Sequence, residues 1–149
     1  MNRFRFLRRI VPGLALLALA VPVSADQEVP FKGVADAVVV GAEPAADGLH
    51  LSLSATGQAT LLGQFSREEH LVVRADGSLV GSVTFVAANG DRLDADISGG
   101  FISATTAVGT YTFTGGTGRF ADASGTAPWA GVTSDGIHVA VTFSGTIEF

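Results

Sequence analysis

His50, His70 and His138 are the only imidazoles in the chain. Three imidazoles can hold zinc, provided that a helix or a hairpin brings them together. No two of these share such a spacing, and His50 and His138 fall on the polar side of their segments, where solvent is the expected neighbour. Asp91, Asp94 and Asp96 offer oxygen ligands of the kind calcium takes. Their spacing is not that of an EF-hand loop, and Asp94 and Asp96 alternate with apolar residues, so they read as outer-face charge. Glu68-Glu69 reads the same way. Acid–base work of the glycosidase or aspartyl type needs two carboxylates facing one cavity, whereas the acidic residues here sit mainly in turns or on polar faces. The chain has no cysteine, which removes disulfides, thiolate nucleophiles and cysteine metal sites. It carries no GxSxG elbow and no HExxH pair. Neither a metal nor a cofactor is expected.

The large apolar groups are the other candidates. Phe31, Phe85, Phe101, Tyr111, Phe113, Trp129 and Phe143 all alternate onto apolar faces and are expected to point inward. Six of them, Phe85, Phe101, Tyr111, Phe113, Trp129 and Phe143, are the residues that would line a ligand cavity. Tyr111 and Trp129 would be its polar handles, since each needs a hydrogen-bond partner when buried. Ala35, Ala55, Ala59 and Ala95 are small enough to leave space near one mouth. The interior is either filled by these side chains or leaves room for one small molecule.

The elements that must position these groups are strands. Period-two alternation runs almost throughout the chain after residue 25. Ile137, Val139, Val141, Phe143, Ile147 and Phe149 oppose His138, Ala140, Thr142, Ser144, Thr146 and Glu148. Leu49, Leu51, Leu53 and Ala55 oppose His50, Ser52, Ser54 and Thr56, and Leu93, Ala95 and Ile97 oppose Arg92, Asp94 and Asp96. Each segment therefore has a dry face and a wet one. Asp47-Gly48, Asp76-Gly77, Asn89-Gly90 and Asp135-Gly136 are hairpin-turn pairs. Strands are expected near 29–40, 49–60, 62–74, 79–87, 91–99, 107–115, 122–133 and 136–148, with 41–46 an exposed loop. Glycines 33, 57, 63, 99, 109 and 145 interrupt the apolar faces, which lets strands coil tightly around a narrow interior. Closure also removes sheet edges. The expected fold is all-β, a single eight-stranded antiparallel barrel of calycin type over residues 26–149.

The stretch Gly115-Gly116-Thr117-Gly118-Arg119-Phe120-Ala121-Asp122-Ala123-Ser124-Gly125 fails as a phosphate cradle. It lacks the Lys-Ser/Thr ending of a P-loop and no helical pattern follows. It reads as structure: Gly115, Gly116, Gly118 and Gly125 turn the chain, Phe120 plugs the barrel, and Arg119 pairs with Asp122 or a neighbouring carboxylate. The stretch resembles the GGTGxFxxAxG signature of the superfamily joining dirigent proteins and allene oxide cyclases, and is most similar to bacterial proteins with an allene oxide cyclase barrel-like domain. The resemblance extends weakly from Gly57 to Glu148, through Gly57-Gln58-Ala59-Thr60-Leu61-Leu62-Gly63 and Ala88-Asn89-Gly90-Asp91. It implies a closed barrel. It also implies either an isomerase or cyclase acting on an apolar molecule, or a non-catalytic guide for phenoxy-radical coupling, and a trimer. The cyclases' polar residues and the dirigent proteins' paired acids find no match here.

Met1 to Ala25 has the form of a secretory signal peptide. Arg3, Arg5, Arg8 and Arg9 precede an apolar run from Ile10 to Val21, and Val23-Ser24-Ala25 fits a cleavage site. A secreted or periplasmic product starting at Asp26 is expected. All 14 acidic residues lie beyond Ala25, against Lys32, Arg67, Arg74, Arg92 and Arg119, so that part carries a net charge of −9. Nucleic acid and anionic lipid should repel it, and no membrane association is expected of the mature form. The leading reading is an exported barrel that binds a small apolar molecule. A buried ionisable group at the barrel mouth would favour an enzyme, and an apolar cavity without one a binding module. A different class, the small outer-membrane barrel, is suggested by the terminal Phe149 and the apolar residues before it. It would put the apolar faces outward, against lipid.

Overall fold

The computed structural model describes residues 27–149; the signal-peptide reading of residues 1–25 lies outside them. Eight strands follow one another: β1 (Val29–Ala45), β2 (Gly48–Ala59), β3 (Gly63–Val73), β4 (Ser78–Val86), β5 (Arg92–Phe101), β6 (Thr106–Gly116), β7 (Ser124–Val132) and β8 (His138–Glu148). Each pairs antiparallel with the next, and β8 returns to β1, closing the barrel. The only helical element among the described residues is one 3₁₀ turn, Gly118–Phe120.

Outside two bulges, at Val39/Gly41 and Asp94/Ala95, the hairpins pair residues of like parity, as in Leu49 with Val73 and Val83 with Ala95, so odd-numbered residues point inward along most of the barrel. Val141, Phe143 and Ile147 are buried, and so are Phe31, Phe65, Phe85, Phe113 and Tyr111. Their even-numbered neighbours Thr142, Ser144 and Glu148 lie outside. Apolar residues therefore face inward, the reverse of the lipid-facing arrangement that an outer-membrane barrel requires.

One expected loop is a strand. β1 continues through the stretch 41–46 as far as Ala45, because a bulge between Val39 and Gly41 restores its register with β2. β8 leaves β1 at Val38, so beyond that point β1 is an edge on one side. Pro44 is tolerated there, since an edge strand need not donate on its open side.

The two ends of the barrel differ. At one end Phe120 is fully buried, as are Leu62 and Ile147, and Phe149 meets the Phe120 ring edge-on at 5.4 Å. The glycine-rich stretch makes this plug. Gly118 takes a positive φ of 58°, and a side chain on Gly116 would collide with the Arg92 carbonyl. Arg119 corrects the expectation of a carboxylate partner. It donates to the Leu61 carbonyl and its guanidinium lies 4.8 Å from the Phe120 ring centroid. Above the plug, Phe31 contacts Phe85, Phe113 and Phe143 at centroid distances of 6.0, 5.0 and 5.2 Å. This half of the interior is solid.

Candidate functional site

The other half is hollow. A cavity of about 230 Å³ opens between the β1–β2, β3–β4, β5–β6 and β7–β8 connections. Its wall is mostly apolar, with Leu53, Leu71, Leu79, Ile97, Val139 and Val141 among the lining residues. Of the six residues expected to line a cavity, Tyr111, Trp129 and Phe101 do. Phe85, Phe113 and Phe143 instead belong to the packed layer below, where Phe85 and Phe143 each touch Tyr111. Phe101 is not a core residue: it is 43% exposed. Its inward register is as expected, but it ends β5 at the rim, where no further layer covers it. Ile137, also on the inward parity and 50% exposed, shares that position.

Three buried polar side chains, Arg67, Glu69 and Tyr111, sit in this apolar wall. Arg67 and Glu69 are the only buried charged residues among those described, at 2% and 5% exposure. Phe65, Arg67, Glu69, Leu71 and Val73 share the inward face of β3. Arg67 Nη2 lies 2.5 Å from Glu69 Oε2, and Arg67 Nη1 donates to the Tyr111 hydroxyl at 2.7 Å. The guanidinium also lies 5.7 and 5.9 Å from the Phe85 and Tyr111 ring centroids. These rings hold a cation with their π faces while excluding water. Tyr111 stacks on Trp129 at 6.0 Å and 28°.

The electrostatics follow from burial. Loss of solvent raises the Glu69 carboxyl above its ordinary value, and the Arg67 charge only partly opposes that. Burial also pushes the Tyr111 phenol up to about 12, so it keeps its proton. Its oxygen accepts from Arg67, and no described group accepts its hydrogen. Arg67 Nε and Trp129 Nε1 are buried without a hydrogen-bond partner in the protein. Unpaired buried donors are rare and costly. The site can therefore donate hydrogen bonds to an oxygen atom, and Glu69 can hold or release a proton beside it.

The reading of Glu69 as outer-face charge is overturned. Glu68 faces outward and Glu69 inward, with strand parity separating the two neighbours. The signal was present in the alternation itself: residues 67 and 69 fall on the same parity as Phe65 and Leu71.

The histidines are dispersed. His50 bonds Asp47 at 2.7 Å, His138 bonds Asp135 at 2.7 Å, and His70 Nδ1 lies 3.2 Å from Ser52 Oγ. Asp94 accepts from the Thr84 hydroxyl at 2.7 Å, and Asp91 from the Asn89 amide at 3.1 Å. Among the described residues no three metal-ligating side chains gather.

No protein-family model matches the chain, and no curated protein matches it. Two solved structures, both of pterocarpan synthase dirigent proteins, are similar to it. One aligns with a TM-score of 0.63 at 13% identity, over 91% of this chain and 96% of that one. The other gives 0.57 at 13% identity, over 83% and 96%. The chain has a dirigent-like barrel fold.

Proposed function

We propose that this chain is an exported barrel that takes a small, largely apolar molecule bearing one oxygen function, and that Glu69, Arg67 and Tyr111 handle a proton at that oxygen. The reaction class is isomerisation or cyclisation, as the resemblance to allene oxide cyclases implies. The carrying observation is the buried Arg67–Glu69–Tyr111 cluster in an otherwise apolar cavity. A carrier of plain hydrocarbon gains nothing from it, because burying a charge pair costs more than an apolar wall of the same shape. Tyr111 and Arg67 would orient the oxygen of the bound molecule by donating to it. Glu69, its proton affinity raised by burial, would give up or collect the proton.

A fluorescent apolar probe, N-phenyl-1-naphthylamine, tests the cavity. It should bind one to one, and Leu53→Trp, which fills the space, should abolish binding. Native mass spectrometry of protein from its own host should reveal a carried oxygenated molecule. Failure of both overturns the reading. Conversion of that molecule by the native chain and not by Glu69→Gln, with binding retained, would establish the proton-handling role. Equal conversion by both would reduce the chain to a binder. The trimer implied by the resemblance is tested by light scattering, and export by finding the chain cut after Ala25 outside the cytoplasm.

A further inference from the structure

The rim of the cavity is divided into two unlike halves. One half is built from the β5–β6 and β7–β8 connections and the Val39–Val40 stretch of β1. Thr133 N donates to Thr105 O at 2.9 Å, and Val39 N to Ile137 O at 2.9 Å, so three backbone segments form one lip. That lip presents Val40, Phe101, Ile102, Val132 and Ile137, which are 65, 43, 68, 52 and 50% exposed. Its one charged residue is Asp135. The opposite half, the end of the β1–β2 hairpin and the β3–β4 turn, carries Glu43, Asp47, Arg74 and Asp76.

We infer that the apolar lip is a docking surface for a charge-neutral lipid bilayer, laid in the interface with the cavity mouth beside it. Clustered exposed apolar groups on one rim mark a contact surface, and loops that present Phe and Ile suit the boundary between headgroups and acyl chains. Charge decides between the candidate partners. A second copy docked mouth to mouth would bring two acidic turn pairs together, and an anionic bilayer would meet the same carboxylates. A zwitterionic surface opposes neither. The lip is also continuous with the cavity lining through Phe101, so an apolar molecule could pass from lipid to barrel without crossing water. That purpose rests on the function proposed above; the docking does not, and the two are tested apart.

The test is co-sedimentation of the chain, in the form its host produces, with phosphatidylcholine vesicles at low salt. The native chain should sediment with them, and the Ile102→Asp/Ile137→Asp double variant should lose at least about fivefold in bound fraction. Naphthylamine binding by that variant should be unchanged, because neither side chain lies in the wall. Replacing a third of the lipid with phosphatidylglycerol should weaken binding. No sedimentation of the native chain, equal sedimentation of the variant, or tighter binding to the anionic vesicles would overturn the inference. So would a native dimer that the double variant dissociates, which would assign the lip to a second copy. Vesicle binding without naphthylamine binding would leave the docking standing and remove the cavity reading.

Discussion

Arg67 and Glu69 stand two residues apart on one strand and form a 2.5 Å ion pair inside the barrel. Strand pleating points both the same way, into the mostly apolar cavity. Stability depends on this pair, and so does the proton handling proposed above.

Removing one partner should be worse than removing both. Arg67→Ala strands the Glu69 carboxylate and should cost about 3–5 kcal/mol. Arg67→Met/Glu69→Met replaces the pair with apolar groups of similar volume and should be neutral or stabilising by about 1–4 kcal/mol. Urea titration at pH 7 followed by Trp129 fluorescence measures both. A double variant weaker than either single one would contradict this account.

Glu69 should also impose a pH dependence. Its carboxyl is raised in the folded state from an ordinary 4.5, so the folded chain binds a proton more tightly than the unfolded one. Its contribution is complete below 4.5 and is lost as pH rises through the raised value. The stability of the native chain relative to Glu69→Gln should therefore fall between pH 4.5 and neutrality. Urea midpoints across that range give the slope, and parallel curves would exclude it.

Asp135 should act with the opposite sign. The His138 side chain and the His138 and Ile137 amides hold its carboxyl far below the usual 3.8. Its contribution is present above 3.8 and is lost as pH falls through the depressed folded value. Asp135→Ala should lower the thermal midpoint at pH 7, with the gap closing only in strong acid. A gap that widened on acidification would refute this.

Two glycines separate two costs. Gly145 lies on the inner face, where a Cβ would stand 2.3 Å from the Thr126 carbonyl oxygen and 2.4 Å from the Ala127 Cα. Backbone cannot yield there, and Gly145→Ala should cost about 3 kcal/mol. Gly90 has open space around it but a φ of 90°, so Gly90→Ala should cost only about 1–2 kcal/mol, from backbone strain. Equal losses in chemical denaturation would show that strand approach is not what keeps position 145 bare.

The barrel was legible because period-two alternation survives every turn: parity alone places Phe31, Leu93 and Val141 inside. The glycine stretch carries no ligand-binding pattern, and its Phe120 is fully buried. The site was less legible. Charged residues are ordinarily assigned to the wet face, and that habit hid Glu69 beside Glu68, although its parity matched Leu71. The end of β1 was misread because Gly, Ala and Pro signal a loop locally, while the bulge that extends the strand is set by its partner β2. Phe101 and Ile137 have the inward parity but no layer above them, and strand pattern carries no information about where a barrel stops.

The indole of Trp129 rests on Gly99 and Gly109, where added Cβ atoms would meet its Cζ2 at 3.0 and 2.7 Å. The missing side chains on two neighbouring strands therefore act as a seat that sets how far the ring leans across the hollow. The width of the hollow could be retuned from behind the wall, by residues that do not line it.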